Sequence, residues 1–151
     1  MLTLESPGQL KDFTGQEIGV TDWVAIAQER IDQFAAATGD RQWIHVNVER
    51  AQQESPYGNT IAHGFLTLSL LTQFIAQTVG IRGLKMGVNY GLNRVRFPAP
   101  VRAGSRVRGR VELQSVREFE GGVEATFLIT VECDSAEKPC CVAEWVVRYY
   151  K

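Results

Sequence analysis

The sequence has few cysteines and no secretory signal. Its three cysteines, Cys133, Cys140 and Cys141, show no metal-ligand spacing, and an odd count does not indicate a disulfide framework. The first residues, "MLTLESPGQLKDF", lack the basic segment and apolar run of a signal peptide. We therefore expect reduced thiols, a cytoplasmic protein and no membrane partner.

The net charge is small, and the charged residues are unevenly placed. The formal net charge of −1 argues against bulk nucleic-acid binding, so we expect no nucleic-acid partner. Residues Arg82 to Arg110 include eight Lys or Arg and no acid, and residues Ser55 to Ile81 include no charged side chain at all. A phosphate-binding glycine loop, a G-x-S-x-G elbow and zinc spacing around the two histidines are also missing, which predicts no metal.

The patterns that are present predict an α+β fold in one domain, residues 1–151. Helical spacing covers Gln28 to Thr38, and Gly39 stands where a helix ends. A second helix over Phe65 to Val79 is apolar nearly all round and too short to span a bilayer, which predicts a buried central helix. Four strands follow, over 86–97, 105–119, 123–134 and 140–150. We expect an antiparallel sheet wrapped around the long central helix.

An acid and a histidine stand five residues apart in "GDRQWIH", as Asp40 and His45. On a helix this spacing separates them by roughly 140°, and on a strand it sends them to opposite faces. They cooperate only if residues 40–46 form an irregular loop between Gly39 and a helix capped by Asn47. Such a pair holds and deprotonates a water. Taken alone, however, the pattern favours a structural core histidine beside a turn carboxylate.

A histidine and a glycine, His63 and Gly64, open the central helix in "TIAHGF". The unpaired N–H groups at a helix start form a site for an oxyanion or a carbonyl oxygen, and glycine admits a ligand close to the backbone. The N–H of Gly64 is the candidate donor. For a lone His-Gly pair, glycine serving only close packing is the commoner case.

Six arginines share even numbers in the stretch "NRVRFPAPVRAGSRVRGR", with apolar residues at odd ones. Such alternation predicts a basic face, either merely solvated or binding a phosphate-bearing ligand. Both interpretations stay open. The neighbouring pair Cys140 and Cys141 stands in an apparent strand, where alternation predicts one buried and one exposed thiol.

Taken together, "GDRQWIH", "IAHGFLTLSLL" and "FPAPVRAGS" resemble the motifs of the MaoC-like dehydratases, including the (R)-specific enoyl-CoA hydratases. The resemblance implies a hot-dog fold and reversible hydration of trans-2-enoyl-CoA to (R)-3-hydroxyacyl-CoA, with no metal or redox cofactor and CoA only as part of the substrate. It implies catalytic roles for Asp40 and His45, an oxyanion role for Gly64, and a homodimer.

Other residues follow from the resemblance less directly. Gln42 and Trp43 replace the family's Asn-Pro, and the Gln42 amide is a candidate for positioning water or substrate. His63, Arg94 and Arg96 are candidates for binding the acyl-CoA substrate, the arginines through its phosphates. The competing functions are an acyl-CoA thioesterase, a 3-hydroxyacyl-carrier-protein dehydratase and a non-catalytic acyl-binding module.

Overall fold

A computed structural model describes all residues, Met1–Lys151, and shows strands wrapped around helices. The strands are β1 Leu2–Leu4, β2 Gln16–Val20, β3 Val24–Ala25, β4 Val79–Ile81, β5 Met86–Arg96, β6 Arg106–Phe119, β7 Gly122–Cys133 and β8 Cys141–Tyr150. The helices are a 3₁₀ helix Pro7–Phe13, α1 Gln28–Thr38, α2 Trp43–Val46, α3 Val48–Glu54, α4 Gly64–Ser69 and α5 Leu71–Thr78. The α+β prediction is confirmed, and the four predicted strands are β5 to β8.

The main sheet has six antiparallel strands, in the order β2-β6-β7-β8-β5, with β3 pairing to β6 beside β2. Buried and half-buried residues alternate along β7 and in the first half of β6, as expected for a sheet with one face on the core. Strands β1 and β4 form a separate parallel pair. The sheet thus presents one apolar face to the helices.

The central helix lies against the apolar face of the sheet in two segments, α4 and α5. They meet at Leu70, whose backbone N–H bonds to the carbonyl of Thr67 three residues back. Phe74 of α5 is fully buried, and its ring lies where a Cβ on Gly109 of β6 would stand, 2.7 Å from two ring atoms. Glycine at that position therefore lets the helix approach the sheet closely.

The expectation of a helix buried on all sides is wrong at its first turn. Phe65 is 71% exposed, because no strand of the chain covers that side of α4. Close by, β5 forms one edge of the sheet and is exposed at almost every residue. No helix in the structure has the length and apolar character needed to cross a membrane.

The two adjacent cysteines differ from the prediction as well. Cys140 and Cys141 are both buried, at 2% and 0% exposure, because Cys140 precedes β8 and donates its S–H to the carbonyl of Val131. Burial raises the pKa of the Cys140 thiol to about 12 and that of Cys141 to about 11. Neither thiol is therefore a nucleophile near neutral pH.

Candidate active site

The segment that carries Asp40 and His45 lies between two helix ends. Helix α1 ends at Gly39, whose φ of +82° suits glycine, and α3 begins at Asn47, whose side chain accepts a hydrogen bond from the N–H of Arg50. Both boundaries confirm the sequence predictions. Between them only residues 40–42 are irregular.

The expectation that residues 40–46 form one irregular loop is therefore wrong for residues 43–46. Trp43–Val46 form a single helical turn, α2, closed by the bond from the Asn47 N–H to the carbonyl of Trp43 at 3.0 Å. The chain reverses in the three residues before that turn. This reversal brings Asp40 and His45 to the same place despite their five-residue spacing.

Asp40, His45 and His63 form one cluster. A carboxylate oxygen of Asp40 and one ring nitrogen of each histidine lie within 4.8 Å of one another. A water that makes two hydrogen bonds of about 2.8 Å spans about 4.5 Å between its partners, a span that agrees with this limit. Asp40 is exposed whereas His45 is 7% exposed, so the cluster is open to solvent on the Asp40 side.

A main-chain carbonyl sets the tautomer of His45. Its Nδ1 lies 2.7 Å from the carbonyl oxygen of Ile61, and because a carbonyl only accepts hydrogen bonds, Nδ1 carries the proton. The neutral ring therefore keeps a lone pair on Nε2. The N–H of Ile61 in turn donates to the carbonyl of Ile44 at 3.0 Å, so the segment around Ile61 is tied to α2 twice.

The pKa of His45 is lowered from its ordinary value, chiefly because burial disfavours the charged ring. The hydrogen bond to Ile61 and the charge of Asp40 oppose this shift, and the nearby ring of His63 adds to it. His45 is consequently neutral at pH 7, with Nε2 free to accept a proton.

His63 lies beneath the pair. Its ring stacks on that of His45, with centroids 3.9 Å apart and planes 25° from parallel. Its Nε2 donates to the main-chain carbonyl of Asp40 at 2.9 Å, and its Nδ1 is buried without a partner. His63 is 2% exposed and supports the turn that bears Asp40. Its predicted contact with substrate stays a prediction.

The same three side chains are the group best placed to hold a metal ion. The two imidazole rings are stacked, however, so their in-plane lone pairs run side by side instead of converging on one point. Zinc and similar ions require ligand atoms that converge on the metal. The expectation of a site without a metal stays a prediction.

Gly64 begins α4, and its N–H donates to no acceptor in the chain. It borders a groove of about 250 Å³ that Ile61, Ala62, Thr67 and Phe97 help to line. The Phe97 ring lies 3.3 Å from where a Cβ on Gly64 would stand. The free N–H of Gly64 therefore lies at a groove that is also lined by Ile61, the residue whose carbonyl bonds to the His45 ring.

Gln42 and Trp43 behave differently from each other. The Gln42 side chain is exposed and makes no hydrogen bond within the chain, while its main-chain N–H donates to Asp40 Oδ1 at 3.3 Å. Trp43 is half-buried beneath the Arg50 guanidinium, which lies 4.3 Å from the ring centroid. The role predicted for the Gln42 amide stays a prediction.

The basic run is divided by the tertiary structure. Three of its arginines on β6 form ion pairs with acids from other parts of the chain: Arg106 with Asp134, Arg108 with Glu132, and Arg110 with Glu17 and Glu132. These three form a solvated, neutralised face. Arg94 and Arg96 on β5 form no ion pair, and they border a second groove that adjoins the Gly64 groove at Pro98.

Residues 10–132 match the family model described as MaoC like domain, and the chain belongs to this family. It is a dehydratase of the MaoC family, a hydro-lyase with the hot-dog fold. The 3-hydroxyacyl-thioester dehydratase Z of Mycobacterium tuberculosis (strain CDC 1551 / Oshkosh) is 51% identical over 150 residues, which cover 99% of each chain.

Two further proteins extend the comparison. Nodulation protein N of Rhizobium leguminosarum bv. viciae is 50% identical over 135 residues, which cover 87% of this chain and 83% of that protein. The solved structure of the (R)-hydratase from A. caviae superposes with a TM-score of 0.71 at 21% identity, covering 87% of this chain and 95% of its own. The second likeness concerns the fold alone.

Sequence reasoning missed the carbonyl of Ile61, which sets the His45 tautomer. It also missed Gln28, whose amide reaches the His45 carbonyl at 2.7 Å. A main-chain carbonyl has no sequence signal. In the sequence, Gln28 is only a polar residue at the start of a helix, and nothing in the pattern indicates a contact with His45, 17 positions away.

Proposed function

We propose that the protein is an (R)-specific enoyl-CoA hydratase that adds water reversibly to trans-2-enoyl-CoA and forms (R)-3-hydroxyacyl-CoA in fatty acid metabolism. One observation carries this proposal: a carboxylate oxygen of Asp40 and a ring nitrogen of the neutral His45 lie within 4.8 Å of each other, with the free N–H of Gly64 at the groove beside them. The reaction is redox-neutral and is proposed to need no metal or redox cofactor.

In the hydration direction the water donates one hydrogen bond to His45 Nε2 and one to Asp40. The proton passes to His45 as the water oxygen bonds to C3 of the substrate. The electrons of the C2–C3 double bond move toward the thioester carbonyl and give an enolate. The imidazolium then returns a proton to C2, so the dyad ends as it began. His45 is thus the proposed base, because its pKa is lowered and Nε2 carries no proton.

The enolate places negative charge on the thioester oxygen, and the N–H of Gly64 is the proposed donor to that oxygen. The acyl chain would follow the Gly64 groove. The CoA phosphates would lie toward Arg94 and Arg96, which form no ion pair and line the adjoining groove together with Glu144. The two grooves share Pro98 as a lining residue, which supports the placement of one long ligand along both.

We further propose a homodimer formed through the edge strand β5. Its exposed side chains include Met86, Val88, Tyr90 and Leu92, and an exposed apolar edge strand of this length favours pairing with another chain. The three cysteines are free and buried, which supports a reducing compartment such as the cytoplasm.

The competing activities are separated by products. Loss of the enoyl absorbance of crotonyl-CoA without release of free thiol supports hydration, whereas thiol release without hydration identifies a thioesterase. Comparison of CoA and carrier-protein thioesters tests the carrier-protein dehydratase. Binding of acyl-CoA without turnover at any chain length identifies a non-catalytic module, and predominantly (S) product rejects the proposal.

The decisive variant is Asp40→Asn, which keeps the shape but loses the carboxylate. We expect turnover to be abolished while CoA-ester binding persists. Asp12→Asn is the matched control, since Asp12 is also exposed but lies on the 3₁₀ helix. An Asp40→Asn enzyme with the turnover of the control contradicts the assigned role.

A further inference from the structure

The side chains behind His45 include a polar pair that no catalytic step uses, Gln28 and Thr60. The Gln28 Nε2 group donates to the His45 carbonyl at 2.7 Å and to Asp32 Oδ1 at 2.8 Å. Gln28 Oε1 accepts from the hydroxyl of Thr60, a residue with 0% exposure. Both amide hydrogens and the amide oxygen are therefore occupied, so the amide has one orientation.

The pair connects the two segments that hold His45. Gln28 lies at the start of α1 and is hydrogen-bonded to the main chain of α2 through the His45 carbonyl. Thr60 adjoins Ile61, whose carbonyl accepts the His45 Nδ1–H, and the carbonyl of Thr60 is anchored by the N–H of Ala103 at 2.9 Å. The Gln28–Thr60 bond thus closes a ring that fixes the His45 main chain relative to the carbonyl its imidazole must reach.

We propose that Gln28 and Thr60 are positioning residues that hold His45 in the Nδ1–H tautomer and keep Nε2 directed at the water. A buried hydroxyl bonded to an amide makes a directional link, and a fully satisfied buried polar network of this kind makes its surroundings rigid. Loss of the link keeps the bond from the Ile61 N–H to the Ile44 carbonyl but frees the His45 main chain to shift relative to the Ile61 carbonyl. The imidazole is then free to leave the Ile61 carbonyl and to place its proton on Nε2, which removes the lone pair that accepts the water proton. This inference rests on the proposed function for His45.

The chain offers a direct readout because His45 and His63 are its only histidines. Long-range ¹⁵N–¹H NMR of the histidine-labelled protein shows just two ring systems, and the structure gives them opposite tautomers, Nδ1–H for His45 and Nε2–H for His63. This measurement needs no substrate. It therefore tests the positioning role even if the proposed reaction fails.

The test uses Thr60→Val, which keeps the shape and removes the hydroxyl, and Thr60→Ser, which retains it. Thr60→Val should change the His45 pattern away from Nδ1–H and lower kcat at least about tenfold, as loss of alignment does, with KM changed by less than about threefold; Thr60→Ser should restore both. Gln28→Met, at a half-buried position, removes the same link should Thr60→Val not fold.

Thr78→Val is the control for a buried hydroxyl as such, because Thr78 is 3% exposed and bonds only to carbonyls of its own helix. It should leave the His45 tautomer and kcat unchanged. A Thr60→Val protein with the wild-type tautomer, or a Thr78→Val protein with the same change, overturns the inference. A wild-type protein with the two tautomers described but no hydration activity refutes the proposed function alone.

Discussion

Replacing Gly64 by proline would remove one N–H from the site and keep the backbone course. Gly64 is the first residue of α4, a position that tolerates proline because its N–H has no helical partner. The preceding residue, His63, has φ −59° and ψ 138°, the conformation that proline favours in the residue before it. The variant therefore tests whether the free N–H of Gly64 contributes to catalysis.

The expected size of the effect comes from oxyanion stabilisation. Loss of one such donor typically lowers kcat by about 10²- to 10³-fold, or about 2.7–4 kcal/mol of barrier. Proline also adds a Cβ, which at Gly64 would stand 3.3 Å from the ring of Phe97. Gly64→Ala adds the same Cβ and keeps the N–H, so it is the matched control.

The assay follows the enoyl-thioester absorbance of crotonyl-CoA for the three proteins, with thermal unfolding as a check of folding. We expect Gly64→Ala to lose little beyond the cost of moving Phe97, and Gly64→Pro to lose a further factor of about 10² or more in kcat. If the proline variant turns over as fast as the alanine variant, the N–H of Gly64 does not stabilise the developing charge.

Three other outcomes are expected. Because the pKa of His45 is lowered, the neutral ring contributes its full stability above the unfolded pKa of about 6.5, and this contribution falls as the pH drops through the folded pKa. Urea unfolding from pH 8 to pH 5 should therefore show a smaller loss of unfolding free energy in His45→Gln than in the wild-type protein. Gly109→Ala forces Phe74 to shift and should cost about 1–3 kcal/mol of unfolding free energy, and wild-type stability would contradict this packing. Val88→Lys should dissociate the proposed dimer in analytical ultracentrifugation, while Val20→Lys on the opposite sheet edge, also 39% exposed, should not; a dimer that survives Val88→Lys is not formed through β5.

Local features were predictable because they depend on neighbours in the chain. Helix α1 has the predicted bounds and ends at Gly39 with its left-handed φ, and Asn47 caps α3 as expected. Strands β5 to β8 lie within a residue or two of their predicted ranges. Propensity, capping and alternation act over a few residues, so one sequence suffices to predict them.

Predictions that concerned the surroundings of a side chain succeeded less often. The spacing of Asp40 and His45 required a chain reversal but did not say that Trp43–Val46 form a helical turn within it. Alternation along the strand suggested that Cys140 or Cys141 would be exposed, yet both are buried because Cys140 precedes the strand and bonds to Val131. Each result depends on a contact with another part of the chain.

The sequence by itself determined the α+β class, helix α1, the place of the central helix and the four long strands β5 to β8, but not the short strands β1 to β4. It also determined the pairing of an acid with a histidine and the motifs of the family. Only the tertiary structure decided how those groups are used. It gave Arg108 an acid partner 24 residues away, left Arg94 and Arg96 without one, and set the tautomer of His45 through a carbonyl of Ile61. The physical reason is that charge pairing, burial and hydrogen bonding to the main chain depend on distances through space, which residue order alone does not contain.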